Sequence, residues 1–258
     1  MGKYSKISKR HLELKIAYLR WQISQMPHGF VRAKNGREII YVFYDPKDPT
    51  VNRDHKRRYF ASSHRGKAII GQIMKYAELK VQLDELMKIW KMTYCSAPRE
   101  ICFPLIKHIS DMFDHEFYMK AIPDQNPREA DNPIEYNGHI FFSKNEVIVA
   151  QILEKVGYEY KPQVLIEFDR FTKFFADFIF YVPEVDKVII LEVDGALDKT
   201  DYITKSYHNT SACVINGLVE MKDFVVIRIG DPYSIDVQQI ENMIYYAVDA
   251  AIDDIVEL

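Results

Sequence analysis

The chain has 258 residues, 48% of them hydrophobic, and a formal net charge of −3, a composition that suits one or two hydrophobic cores. No apolar run is long enough to span a membrane and the basic N-terminus leads into no apolar signal segment, so we expect a soluble, cytoplasmic protein. The three cysteines are widely spaced and form no Cys-x-x-Cys unit, which argues against a disulfide framework or a zinc knuckle.

Two predicted helices flank a small predicted sheet in the first third of the chain. Apolar residues with helical spacing predict a helix from Lys9 to about Gln25. The Asn35-Gly36 pair predicts a hairpin between two strands within Phe30–Tyr44, and a third strand is expected at Arg57–Ala61. A heptad-like apolar pattern from Gly66 to Trp90 predicts a long helix, whose seam packs either on the first helix or on a second subunit in a homodimer.

Positive charge is concentrated in this region. Residues 1–67 hold about 16 Lys and Arg against about 5 acidic residues, whereas residues 184–258 hold about 5 against about 15. One short stretch that also carries aromatic residues contains a basic cluster, which we define as Arg53, Lys56, Arg57, Arg58, Arg65 and Lys67. Cations beside aromatic rings suit phosphates and bases, so the basic cluster is a predicted nucleic-acid contact, with DNA as the expected partner. The alternative is a solvated helix face.

A further helix is predicted from Pro98 to Ala121. It is followed by a polar, proline-rich stretch that we interpret as a linker at residues 122–137. The predicted organisation is therefore an N-terminal helical arm with a small β-hairpin at residues 1–121, the linker, and a second domain at residues 138–258.

The second domain alternates elements in the order αβββαβα, which is typical of an α/β domain. Helices are predicted at Ser143–Val156, at Thr200–Val214 and from Ser234, and strands at Tyr158–Phe168, Phe174–Val182, Lys187–Val193 and Phe224–Ile229. The segment from Lys187 to Ile229 has the length of a crossover unit, so its two strands are expected to be parallel.

Carboxylates are expected to share one face of the hairpin in this domain. If the turn is centred between residues 184 and 185, Asp177 lies opposite Glu192 with their Cβ atoms about 5 Å apart, and Asp194 points to the same side. Like charges that face each other destabilise a strand pair unless a cation neutralises them, and oxygen ligands suit Mg²⁺ or Mn²⁺. The alternative is a set of solvated side chains on an exposed edge hairpin.

This arrangement resembles the PD-(D/E)XK nuclease superfamily, in which a restriction-endonuclease-like mixed sheet is flanked by helices. The resemblance covers roughly residues 138–230. It implies that Asp177 and Glu192 hold a divalent metal with the main-chain carbonyl of Val193, and that Glu146 on the first helix joins the site. Ser143 and Glu146 also form a capping-box pattern, in which the glutamate bonds back to the Ser143 amide, so Glu146 has a structural explanation as well.

Two positions depart from the family's pattern. Ala176 stands where the motif has proline, and Asp194 stands where it has lysine. The resemblance therefore implies that another lysine supplies the positive charge, with Lys205 as the first choice and Lys161 as the second. The alternative for Lys205 is an ordinary lysine on a helix surface.

The expected function is hydrolysis of DNA phosphodiester bonds with Mg²⁺ or Mn²⁺ as cofactor. The candidate catalytic residues are Glu146, Asp177, Glu192, Asp194 and Lys205. The alternative is a nucleic-acid-binding or scaffold protein that keeps the nuclease fold without turnover, which Asp194 in place of lysine favours.

Overall fold

The computed structural model of the chain describes residues 7–43, 57–103, 112–127, 133–195, 200–229 and 235–255. In this part of the chain the architecture is mixed α/β, with six helices and three sheets. The chain forms two compact units, which we call the N-terminal unit (Leu12–Pro104) and the C-terminal unit (Met1–His11 with Leu105–Leu258). Within the described ranges, none of the helices has both the length and the apolar character that crossing a membrane requires.

The N-terminal unit contains the predicted sheet between two helices. Its elements are the part of α1 (Lys9–Ser24) from Leu12 onward, β1 (His28–Lys34), β2 (Arg37–Phe43), β3 (Arg57–Phe60) and α2 (His64–Thr93). The sheet is antiparallel in the order β1-β2-β3. Asn35 and Gly36 both have positive φ angles and form the predicted tight turn.

The apolar seam of α2 is buried inside the chain. Leu79, Leu83, Leu86 and Trp90 are all buried, and Ile69 and Ile73 pack against the sheet. The seam therefore needs no second subunit to cover it, and the homodimer stays a prediction.

The predicted helix at Pro98–Ala121 is wrong over most of its described length. Residues 98–103 form no helix, residues 104–111 lie outside the described part, and α3 covers only His115–Lys120. Asp114 caps α3 by accepting a hydrogen bond from the Phe117 amide at 3.0 Å. The described helix of this segment therefore begins only after Asp114.

The predicted linker contains structure that the sequence analysis missed. β4 (Ile134–Tyr136) and β5 (His139–Phe141) form an antiparallel hairpin, with positive φ angles at Asn137 and Gly138. This is the same Asn-Gly turn signal as at residues 35 and 36. The predicted linker at residues 122–137 lies within the C-terminal unit.

The predicted order of elements in the rest of the C-terminal unit is confirmed. They are α4 (Lys144–Val156), β6 (Glu159–Glu167), β7 (Lys173–Val182), β8 (Lys187–Asp194), α5 (Thr200–Ile215), β9 (Phe224–Arg228) and α6 (Val237–Ile255). The four strands form one sheet in the order β6-β7-β8-β9. The first two pairings are antiparallel, and β8 pairs with β9 in the predicted parallel direction.

Helices cover both faces of this sheet. On one face, Ile179 and Ile190 belong to the same buried cluster as Tyr118 of α3 and Cys213 of α5. Phe178 and Phe180 alternate with Ile179 and are fully buried, so the opposite face is covered too. α4 and α6 contact each other, and they also contact β6 and β9 respectively.

Candidate active site

The hairpin of β7 and β8 has the predicted register. Val182 pairs with Lys187, and the pairing continues to Phe178 opposite Leu191. Continued by one residue, this register brings Asp177 opposite Glu192, and these two residues are only 6% and 4% exposed. Both carboxylates are therefore buried, and neither is a solvated residue of an exposed hairpin.

Asp177 is held by the main chain of the next strand. Its Oδ2 accepts a hydrogen bond from the Val193 amide at 2.8 Å. The N–H and C=O of a strand residue point to the same side, so the Val193 carbonyl is also directed toward β7. The Asp194 carbonyl points the other way, because it accepts a hydrogen bond from the Ile229 amide beyond β9 at 2.8 Å.

Glu192 is covered by α5. Its Oε2 accepts a hydrogen bond from Asn209 Nδ2 at 3.1 Å, and Asn209 is only 2% exposed. Burial, together with the negative charge of Glu192, raises the pKa of the Cys213 thiol, one turn further along α5, to about 12. The carboxylate of Glu192 therefore lies in a largely apolar environment with an amide donor beside it.

β6, which pairs with β7 on the side away from β8, is distorted at the residue opposite Asp177. Pro162 pairs with Phe178 and Val164 pairs with Ala176, so Gln163 lies opposite Asp177. Gln163 has a φ of 50° and is 1% exposed. A positive φ is uncommon for a residue with a side chain, and such strained positions are concentrated at functional sites.

The distortion also changes which way β7 presents its side chains. Ala176 and Ile179 lie three positions apart, yet both belong to the buried cluster that includes α5 residues. Side chains of a regular strand alternate between faces, so the alternation shifts by one residue between them. Asp177 lies within this shift.

Glu146 is used in the cap of α4. Its amide donates to Ser143 Oγ at 3.2 Å, and the Ser143 hydroxyl donates to Glu146 Oε1 at 3.0 Å. Glu146 Oε2 accepts a hydrogen bond from the Phe142 amide at 3.0 Å. The capping-box pattern predicts the amide of Ser143, one residue later, as this donor. Gln163 Nε2 also donates to Oε2, at 3.4 Å, so Glu146 is linked through Gln163 to the position opposite Asp177.

Asn145 is a second residue of α4 that lies near the end of β8, and sequence reasoning missed it. A Cβ built on Gly195, directly after β8, would lie 2.7 Å from Asn145 Nδ2. Asn145 is itself buried. Gly195 thus permits a close approach between the first turn of α4 and the chain that leaves the site.

Asp194 and Lys161 form hydrogen bonds with residues other than Asp177 and Glu192. Asp194 Oδ2 accepts a hydrogen bond from Ser206 Oγ on α5. The side chain of Lys205 lies outside the described part. Lys161 Nζ donates to the carbonyls of Tyr118 and Ala121 at 2.5 and 2.8 Å, so it is held at the C-terminal end of α3. Burial lowers the pKa of Lys161.

The donor atoms at this place suit a hard divalent cation. They are the carboxylates of Asp177 and Glu192 and the main-chain carbonyl of Val193, all of them oxygen ligands of the kind that Mg²⁺ and Mn²⁺ prefer. Among the residues that the structure describes, no group of three or more His, Cys, Asp or Glu side chains is arranged to hold a metal ion.

The basic cluster is described only in part. Arg53 and Lys56 lie outside the described residues, and of Arg57 only the main chain in β3 is described. The other three members, Arg58, Arg65 and Lys67, are exposed on β3 and on the first turn of α2.

A comparison of the chain with known protein families, with curated proteins and with solved structures finds no match.

Proposed function

We propose that this chain is a divalent-metal-dependent nuclease that hydrolyses DNA phosphodiester bonds. The observation that supports it is the buried pair of Asp177 and Glu192 on adjacent strands, with the Val193 amide bound to Asp177. Burying two like charges side by side costs free energy, and a bound cation offsets that cost. We also propose that the four-stranded sheet is a restriction-endonuclease-like sheet whose active site contains Asp177 and Glu192.

The residues of the chain have separate tasks in this proposal. Asp177, Glu192 and the Val193 carbonyl hold Mg²⁺ or Mn²⁺, which supplies a Lewis acid and lowers the pKa of a bound water when present. The Val193 amide fixes the Asp177 carboxylate, and Asn209 fixes the Glu192 carboxylate. Burial of the pair strengthens its interaction with a cation, because the local dielectric constant is low.

Glu146 is proposed to act as a positioning residue. It accepts hydrogen bonds from its own helix cap and from Gln163, the residue opposite Asp177. A carboxylate held in this way fixes the place where α4 meets the sheet. The basic cluster is proposed to attract the phosphates of DNA, which an acidic site repels.

Cleavage of DNA in the presence and absence of metal tests the proposal. Supercoiled and linear DNA are incubated with the purified protein in Mg²⁺, Mn²⁺ or EDTA. We expect metal-dependent cleavage by the natural sequence and its loss in D177N and E192Q. E159Q is the matched control, because Glu159 is an exposed residue of β6 and its change removes the same charge. Cleavage that persists in both site variants would refute this assignment of the site.

Binding of Mn²⁺ measured by calorimetry gives a readout that is independent of turnover. We expect binding to the natural sequence and to E159Q, and weak or no binding to D177N. A protein that binds no Mn²⁺ would refute the metal site whatever the cleavage assay shows.

A second candidate function is DNA binding without cleavage. It is favoured by Asp194, which stands in the lysine position and is hydrogen-bonded to Ser206, and by Lys161, which is held at α3. Salt-dependent DNA binding with intact DNA in every metal condition would support this function over the nuclease.

A further inference from the structure

The sheet of the N-terminal unit has one face against α2. Ile40 and Val42 of β2 are 0% and 1% exposed and form a small core with Ala61. Ile69 and Ile73 of α2 pack against this core. The side chains that alternate with Ile40 and Val42 must therefore lie on the opposite face, which we call the open face.

Aromatic rings lie on the open face in a regular pattern. Phe30 pairs with Tyr41, and Tyr41 pairs with Arg58, so the three side chains form one row across the sheet. The rings of Phe30 and Tyr41 stack with their centroids 5.1 Å apart. The next row ends in Phe60, and Phe30 and Phe60 are 44% and 53% exposed. Large rings with this exposure are costly on a surface unless a ligand covers them.

Arginines occupy the positions between the rings. Arg32, Arg37 and Arg58 are all exposed on this face. The Arg58 guanidinium lies 5.5 Å from the centroid of the Tyr41 ring, and that of Arg37 lies 5.9 Å from the centroid of Phe60. None of the described side chains on the open face is acidic. The face thus combines positive charge with planar apolar surface, which matches phosphates and bases.

We propose that the open face binds a single-stranded nucleic acid, with bases stacked on Phe30 and Phe60 and phosphates held by Arg32, Arg37 and Arg58. Unpaired bases present their flat faces to protein rings, whereas the bases of a duplex are already stacked on one another. A second copy of the chain is a poor occupant, because it would bring arginines against arginines. This proposal rests on the nucleic-acid contact proposed above for the basic cluster, which shares Arg58 with the open face, and it names the kind of nucleic acid that is bound. Because it needs no metal, a binding test in EDTA can fail or succeed independently of the nuclease.

Fluorescence anisotropy in EDTA tests the proposal separately from cleavage. The probes are labelled oligo(dT), an RNA oligonucleotide of the same length and a DNA duplex. We expect the single strands to bind more tightly than the duplex. The variant F30L/F60L keeps apolar side chains but removes both rings, and we expect each lost ring to weaken binding about tenfold. R58A should weaken binding and reduce the slope of log affinity against log salt by about 0.7.

The control comes from the C-terminal unit. Phe171 is 87% exposed and has the Arg170 guanidinium 5.5 Å from its ring centroid, so F171L removes a similar ring from a similar setting. Oligo(dT) affinity should not change in F171L. Three results would overturn the proposal: tighter binding of the duplex, an unchanged affinity in F30L/F60L, or no binding of oligo(dT) at low salt. Circular dichroism verifies that each variant is folded.

Discussion

Replacing Glu192 with glutamine is expected to stabilise the protein when no metal is present. Glutamine has nearly the same size as glutamate and keeps an oxygen that can accept the hydrogen bond from Asn209. The change removes one of two buried negative charges at the position that follows the last β7–β8 pair, Phe178 and Leu191. We therefore expect E192Q to raise the free energy of unfolding in EDTA, whereas most substitutions lower it.

The expected gain is about 2 kcal/mol. Residues opposite each other on antiparallel strands have Cβ atoms about 5 Å apart, and two unit charges at that distance repel by about 3 kcal/mol at an effective dielectric constant of about 20. The hydrogen bond from Asn209 weakens by about 1 kcal/mol when its acceptor loses its charge. The difference between these two changes is the predicted net stabilisation.

Urea-induced unfolding followed by circular dichroism measures this difference. In EDTA, E192Q should be more stable than the natural sequence, and E159Q should differ from it by no more than about 0.5 kcal/mol. In Mn²⁺ the order should reverse, because a ligand that binds the folded state stabilises only the protein that holds it. If E192Q loses more than about 1 kcal/mol in EDTA, Glu192 is stabilised by the protein itself, and the argument for a cation is refuted.

Two further predictions concern buried groups away from the carboxylate pair. Lys187 and Asp223 form a buried ion pair, so K187M should lower the free energy of unfolding by about 3–5 kcal/mol, and K187M/D223L should recover part of that loss in the same urea experiment. An equal loss in both variants would contradict this. Burial raises the pKa of the Cys213 thiol to about 12, so at pH 8 a disulfide reagent should modify the exposed Cys95 and Cys102 and reach Cys213 only after unfolding. Modification of all three thiols in the folded protein would contradict it.

The hairpin of β7 and β8 was predictable because its signals are local. A short turn between two apolar strands determines the register, which the structure shows from Val182 opposite Lys187 to Phe178 opposite Leu191. The parallel pairing of β8 and β9 followed from the length of the connection through α5. Both features depend on distances along the chain, which a sequence displays directly.

The amide side chains around the carboxylates were not predictable in this way. Gln163, Asn209 and Asn145 come from β6, α5 and α4, and each element contains several other polar residues. Nothing in the spacing distinguishes them from surface residues. Only the tertiary packing brings them to the end of β8.

The error at Pro98–Ala121 has a different cause. The predicted helix includes a proline at position 104, and proline disfavours the interior of a helix. Phe113 packs in the core beside α3, so an apolar residue there reflects burial and not helical periodicity. The hairpin at Asn137-Gly138 was missed for a different reason. Its turn signal is present in the sequence, but it borders a proline-rich stretch that we interpreted as a linker.

The connections between the strands also set the order in which the carboxylate site can form during folding. β7 and β8 are joined by a turn at residues 183–186, whereas β8 and β9 are separated by a crossover connection that contains α5. Short loops close at a lower entropic cost, so we expect the β7–β8 hairpin to form before Asn209 of α5 contacts Glu192. The divalent ion that we propose for this pair would have free access at that stage. Refolding in the presence of the ion should therefore load the site faster than adding the ion to the finished protein.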